Sequence, residues 1–164
     1  MPKLQELLYE TLRDLATFNY VVNVGGRRLS TQFVKWFDPE QKISTILYHA
    51  PRGIYIGFTE QFINIVITFD HRVLNEPVLI NGEEVHSCEI DFLNMMIKVN
   101  VKEGDKIKTI ELRPEEEFLK IGETSITVAN FVMEFGRVLL ATLKEVLMLL
   151  NNITTGLEIR FLKM

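Results

Sequence analysis

Cysteine is nearly missing from this chain of 164 residues: Cys88 stands alone. One cysteine cannot close an intrachain disulfide or supply a cysteine-based zinc centre, and it suits a reducing compartment. Glycine (9) and proline (5) are too scarce for a collagen-like or low-complexity chain. Long hydrophobic runs are also lacking. The longest, Val138 to Leu150, is interrupted by Lys144 and Glu145, whereas a membrane-crossing helix needs about 20 apolar residues. The opening Met1-Pro2-Lys3-Leu4-Gln5-Glu6 is charged and lacks the apolar stretch of a signal peptide. A cytoplasmic protein with no membrane partner is expected.

Catalytic signatures are absent as well. The chain has neither a Gly-x-Ser-x-Gly elbow nor a Walker-type loop. His86-x-Cys88 with Asp91 is the nearest approach to a ligand set, but no second pair follows at zinc spacing. It reads as a strand edge with a solvent-facing histidine and a small buried hydrophobe. Cys88 or Ser30 would need the fold to bring up His49, His71 or His86 before a nucleophile–base pair existed. Asp70-His71-Arg72 reads as the solvated end of a strand. Gly25-Gly26-Arg27-Arg28 leads into a strand, not a helix N-terminus, and so makes a poor phosphate cradle. No enzyme activity, metal or cofactor is expected.

What is present is the hydrophobic content of a folded domain, 47%, with 24% charged residues. Neither a repeat nor an interdomain linker is visible, so residues 1–164 are read as one domain. Leu4, Leu7, Leu8, Leu12 and Leu15 recur at helical spacing and predict an amphipathic helix over residues 3–17. From Phe18 the period falls to two. Residues 18–121 then read as seven to nine short strands, with segments at 32–37, 43–49, 53–59 and 62–70 bounded by turn clusters. Ile63, Ile65, Ile67 and Phe69 fall on one face of the last of these. Asn81-Gly82 predicts a two-residue hairpin of the type I′ kind, and Glu103-Gly104-Asp105 a second hairpin. A change of parity between Phe92 and Met95 calls for a bulge or turn near Leu93-Asn94. Pro114-Glu115-Glu116-Glu117 is read as a helical turn, in an acidic stretch from Glu111 to Glu123 that belongs to solvent. Thr124 or Ser125 is taken to cap a long hydrophobic helix over about 126–152, and 157–164 is read as a terminal strand. The fold class is α+β: a largely antiparallel sheet, an N-terminal amphipathic helix and a long C-terminal helix.

Two features bear on function. In the long helix, Val132, Phe135, Leu139, Thr142, Val146, Leu149 and Ile153 alternate in steps of three and four, a heptad-type stripe. Leu140, Leu143, Leu147 and Leu150 form a second row beside it. Either this is a central core helix clasped by the sheet and the N-terminal helix, or one stripe packs on the sheet and the other on a second copy, which is the reading favoured here. A homodimer or tetramer is expected, with Val132, Phe135, Leu139, Val146 and Leu149 as the oligomerisation residues.

The second feature is charge. The total is −4, but residues 21–59 carry five basic residues against two acidic, a net of +3, which leaves −7 for the remainder. That window interleaves Arg27, Arg28, Lys35, Lys42 and Arg52 with Phe33, Trp36, Phe37, Tyr48, Tyr55 and Phe58. Cations that neutralise phosphates, alternating with rings that stack on bases, are what a single-stranded nucleic acid requires. Arg27, Arg28, Lys35 and Arg52 are the expected phosphate contacts, and Trp36, Tyr48 and Tyr55 the stacking residues. Parity puts Phe33, Lys35 and Phe37 on one face of their strand, exposed if Lys35 is, and both tyrosines outward. The sequence thus predicts a homo-oligomeric protein that binds single-stranded DNA or RNA, or alternatively an adaptor whose activity is self-assembly or protein interaction through the long helix.

Overall fold

The computed structural model describes residues 3–16, 31–38, 43–49, 52–59 and 64–153, with side chains described for 3–16, 52–57 and 64–141. The strand and Gly25-Gly26 turn expected at 18–30, and the terminal strand at 157–164, lie outside the described residues.

Helix α1 runs Leu4–Ala16 and buries the leucines that predicted it. Its one buried hydroxyl, Thr11 Oγ1, donates to the Leu7 carbonyl at 2.8 Å, so no polar group is stranded in the core. Strands β1 (Thr31–Asp38), β2 (Ile43–His49), β3 (Ile54–Thr59) and β4 (Asn64–Phe69) follow. After a single helical turn, α2 (His71–Leu74), come β5 (Leu79–Ile80), β6 (Glu83–Asp91), β7 (Met96–Glu103) and β8 (Lys106–Leu112). All pair antiparallel in the order β1-β2-β3-β4-β6-β7-β8, with β5 folded onto β6. A separate hairpin of β9 (Glu117–Ile121) and β10 (Thr124–Thr127) precedes the long helix α3 (Val128–Ile153).

The sheet has two unlike faces. Ile54 and Ile56, Ile65 and Ile67, Cys88 and Ile90, and Ile97, Val99 and Val101 are buried in one cluster with the α1 leucines and with Val132 and Phe135 of α3. Alternate positions on the same strands are Tyr55, Val66, Thr68, Glu89, Lys98 and Asn100, all partly or fully exposed. Helices α1 and α3 therefore sit on one face and leave the other uncovered by either, a common arrangement for antiparallel sheets.

Local chemistry sets the turns. Asn81 (φ 50°) and Gly82 (φ 80°) both take the positive φ that the β5–β6 turn requires. Between β6 and β7 the parity change is a turn, not a bulge. Asp91 Oδ1 accepts the amides of Leu93 and Asn94 at 3.0 and 3.1 Å, and Oδ2 accepts Asn94 Nδ2 at 2.8 Å. Desolvation works to raise the Asp91 pKa, but the Asn94 side chain and backbone, the Leu93 amide and the Lys98 charge together lower it below its ordinary value.

Two readings are corrected at the start of α3. The Pro114–Glu117 segment is a turn closed by Glu116 N–H donating to the Arg113 carbonyl at 3.1 Å, and Glu117 already belongs to β9. Thr124 and Ser125 lie in β10, and the cap is Thr127, whose hydroxyl oxygen accepts the Asn130 amide at 3.2 Å. The Val128 and Ala129 amides donate to the Glu116 and Pro114 carbonyls at 2.9 and 3.0 Å. Three of the four donors that a helix start leaves open are thus satisfied by the preceding turn and hairpin. Among the described residues no helix is long and apolar enough to cross a membrane.

Candidate functional site

Register decides which expected residues can act together. Tyr48 stands opposite Tyr55, and Tyr55 opposite Thr68. With Gln32 opposite Tyr48, one row crosses four strands at positions that alternate with buried Ile54 and Ile56. Tyr55 itself is half-buried. The rows through Phe33 and Lys35 run elsewhere. Phe33 pairs with Leu47, then Ile56 and Ile67, while Lys35 pairs with Thr45, then Phe58 and Ile65. Both rows end on isoleucines of the buried cluster, and the side chains of Phe33 and Lys35 lie outside those described. Trp36 follows Lys35 immediately before a register shift. The side chains of Lys35, Trp36 and Tyr48, and Arg27 and Arg28 altogether, lie outside what the structure describes.

Arg52 is drawn away from the tyrosine row. Its Nε donates to Asp14 Oδ2 at 2.8 Å and its Nη1 meets Glu10 Oε2 at 2.9 Å, both on α1. Helix α1 thereby takes up part of this charge.

Another cation stands beside Tyr55. Strand β4 ends at Asp70, whose carboxylate caps α2 by accepting the Arg72 amide at 3.0 Å. The same carboxylate takes Arg72 Nε and Nη2 at 3.0 and 3.1 Å, and Nη2 also reaches the Tyr55 hydroxyl at 3.4 Å. The guanidinium is held at its base yet its side chain is 83% exposed. The Asp70 hydrogen bonds and charge, with Tyr55 beside them, raise its pKa further above the normal arginine value. The sequence signal for it was Asp70-His71-Arg72, a cap residue followed two positions on by its own partner, which alternation along the strand had reduced to a solvated end.

The rest of this sheet face is polar and nearly balanced in charge. Glu89, Lys98 and Glu111 occupy one row across β6, β7 and β8, with opposite charges facing each other across strands. Thr109 Oγ1 donates to Asn100 Oδ1 at 2.9 Å, and Asn100 Nδ2 to Ser87 Oγ at 3.0 Å.

No protein-family model, curated protein or solved structure matches this chain.

Cys88 is completely buried; desolvation first, and then the Glu89 charge, push its thiol up to about 12, so it carries no thiolate for nucleophilic work at neutral pH. His86 is exposed, and Asp91 is occupied by its turn. Among the described residues no group of three histidine, cysteine or carboxylate side chains is placed to hold a metal. A cleft of about 630 Å³ opens between α1, the β5–β6 turn and β9, with Lys3, Glu6, Glu117 and Lys120 around Leu79 and Phe118. None of the expected site residues lines it.

The helix stripe also resolves. Val132, Phe135 and Leu139 are in this chain's own core, at most 2% exposed, and are not free for a second copy. Such a 3–4 stripe is what seats a helix on a sheet. Val146 and Leu149 have side chains outside those described. On the opposite side of α3, Met133 and Leu140 are 59% and 62% exposed.

Proposed function

We propose that this chain is a non-catalytic, cytoplasmic protein that binds single-stranded nucleic acid on the uncovered sheet face and acts as a homo-oligomer. The observation that carries this reading is the Tyr48–Tyr55 register pair on that face, with the exposed Arg72 guanidinium at the Tyr55 hydroxyl. In this reading Tyr48, Tyr55 and Trp36 stack on successive bases, and Arg72 supplies a phosphate contact in place of Arg52. Arg27 and Arg28 keep their proposed phosphate roles. Because Lys98 is offset by Glu89 and Glu111, the affinity rests on stacking more than on neutralised phosphate. Its dependence on salt is correspondingly shallow, a log–log slope of about −0.7 for each phosphate engaged.

Trp36 is the single tryptophan, so its emission reports the proposed stacking directly. Titration with a single-stranded oligonucleotide at low salt quenches it, whereas a duplex of equal length does not. Unchanged emission, with no change in the anisotropy of a labelled strand, contradicts the reading.

A second reading, an adaptor whose activity is assembly through α3, is favoured by the exposure of Met133 and Leu140. It predicts self-association with no affinity for nucleic acid.

A further inference from the structure

Among the described residues the large exposed apolar side chains are Val73, Leu93, Ile107, Ile121, Met133 and Leu140. The first four sit on four separate elements or loops. Met133 and Leu140 share α3, seven residues apart, which is two turns on one helix face. Asn130, Glu134, Arg137 and Ala141 are exposed around them, and Glu134 and Arg137 form an ion pair along the helix. This patch therefore holds two apolar side chains, one acid and one base, in a short run.

Such a patch is complementary to itself. An isologous dimer requires that each group on one surface find its counterpart on an identical surface turned by 180°. When two copies of α3 lie antiparallel with the two-fold axis beside Gly136 and Arg137, Met133 is level with Leu140 of the second copy, and Leu140 with its Met133. Glu134 then lies two residues, about 3 Å along the axis, from the level of the second copy's Arg137. The two glutamates and two arginines meet on one flank as a quartet of alternating charge. A parallel arrangement instead puts the Glu134–Arg137 pairs of the two copies on opposite flanks, where they do not meet.

We infer that the outer face of α3, through Met133, Glu134, Arg137 and Leu140, is an antiparallel contact with a second copy of this chain. This deepens the self-association part of the reading above and is independent of nucleic-acid binding. It also moves the interface from the stripe expected in the sequence, whose described members fill the core, to the face behind it.

Two measurements on the full chain test it separately from self-association as such. Light scattering across micromolar concentrations gives a dimer. Glu134→Arg loses it at concentrations where the parent chain is dimeric, Arg137→Glu does the same, and the double exchange restores it; circular dichroism reports that each variant is folded. Cross-linking then tests orientation, with Cys88 buried and not competing. Mixed Met133→Cys and Leu140→Cys chains form a disulfide-linked pair under mild oxidation, whereas Met133→Cys alone forms none. A parent chain that is monomeric throughout overturns self-association altogether. A dimer that links Met133→Cys to itself, or that ignores the Glu134 and Arg137 exchanges, overturns this interface and leaves self-association standing.

Discussion

Gly136, in the middle of α3, lies against the ring of Phe92 from the β6–β7 turn: a carbon placed on its Cα would stand 3.0 Å from Phe92 Cε1 and 3.3 Å from Cδ1. Glycine inside a helix ordinarily costs about 1 kcal/mol relative to alanine. Here the missing side chain lets a sheet turn approach the helix that covers it. Gly136→Ala is therefore expected to fall short of that gain in urea denaturation. In a Phe92→Ala background the same change recovers about 1 kcal/mol. Equal gains in both backgrounds contradict the packing described.

Arg52 gives a prediction that separates fold from function. Its two carboxylate partners lie on α1, and partly exposed ion pairs contribute about 0–1 kcal/mol each. Arg52→Ala is expected to lower stability by about 1 kcal/mol or less and to leave the affinity for a single-stranded oligonucleotide unchanged. A drop in affinity at unchanged stability would return Arg52 to the binding face.

The β6–β7 turn predicts a pH dependence of defined sign. The Asp91 carboxylate is held below its ordinary value near 3.8, so the unfolded chain takes up its proton before the folded chain does. The stability it contributes is complete above pH 4 and is lost as pH falls through the lower, folded value. Hydrogen bonds to a charged group are worth about 1.5–3 kcal/mol. Asp91→Asn is accordingly expected to destabilise the protein at pH 7, with a gap from the parent that narrows as denaturation is repeated below pH 4. A gap that stays constant with pH excludes the charged form as the source.

Periodicity made much of the fold readable. The α1 leucines, the alternating Ile65, Ile67 and Phe69, and Asn81-Gly82 each obey one local rule, and the structure follows it. Thr127 was missed because three hydroxyl residues precede the helix within four positions. Their order is settled by the β9–β10 pairing, which commits Thr124 and Ser125 to a strand. The site was less legible. Strand parity distinguishes two faces but does not say which one the helices cover. Arg52 and Arg72 look alike in composition. Only tertiary placement gives one to α1 and the other to Tyr55.

The central claim rests on Tyr55, and its most direct test is the affinity of Tyr55→Ala for a fluorescent single-stranded oligonucleotide at low salt. Loss of one stacked base, about 1–3 kcal/mol, predicts a Kd raised about 5- to 150-fold, with circular dichroism unchanged. Binding by Tyr55→Ala as tight as the parent chain's, or no saturable binding by the parent chain, contradicts the account.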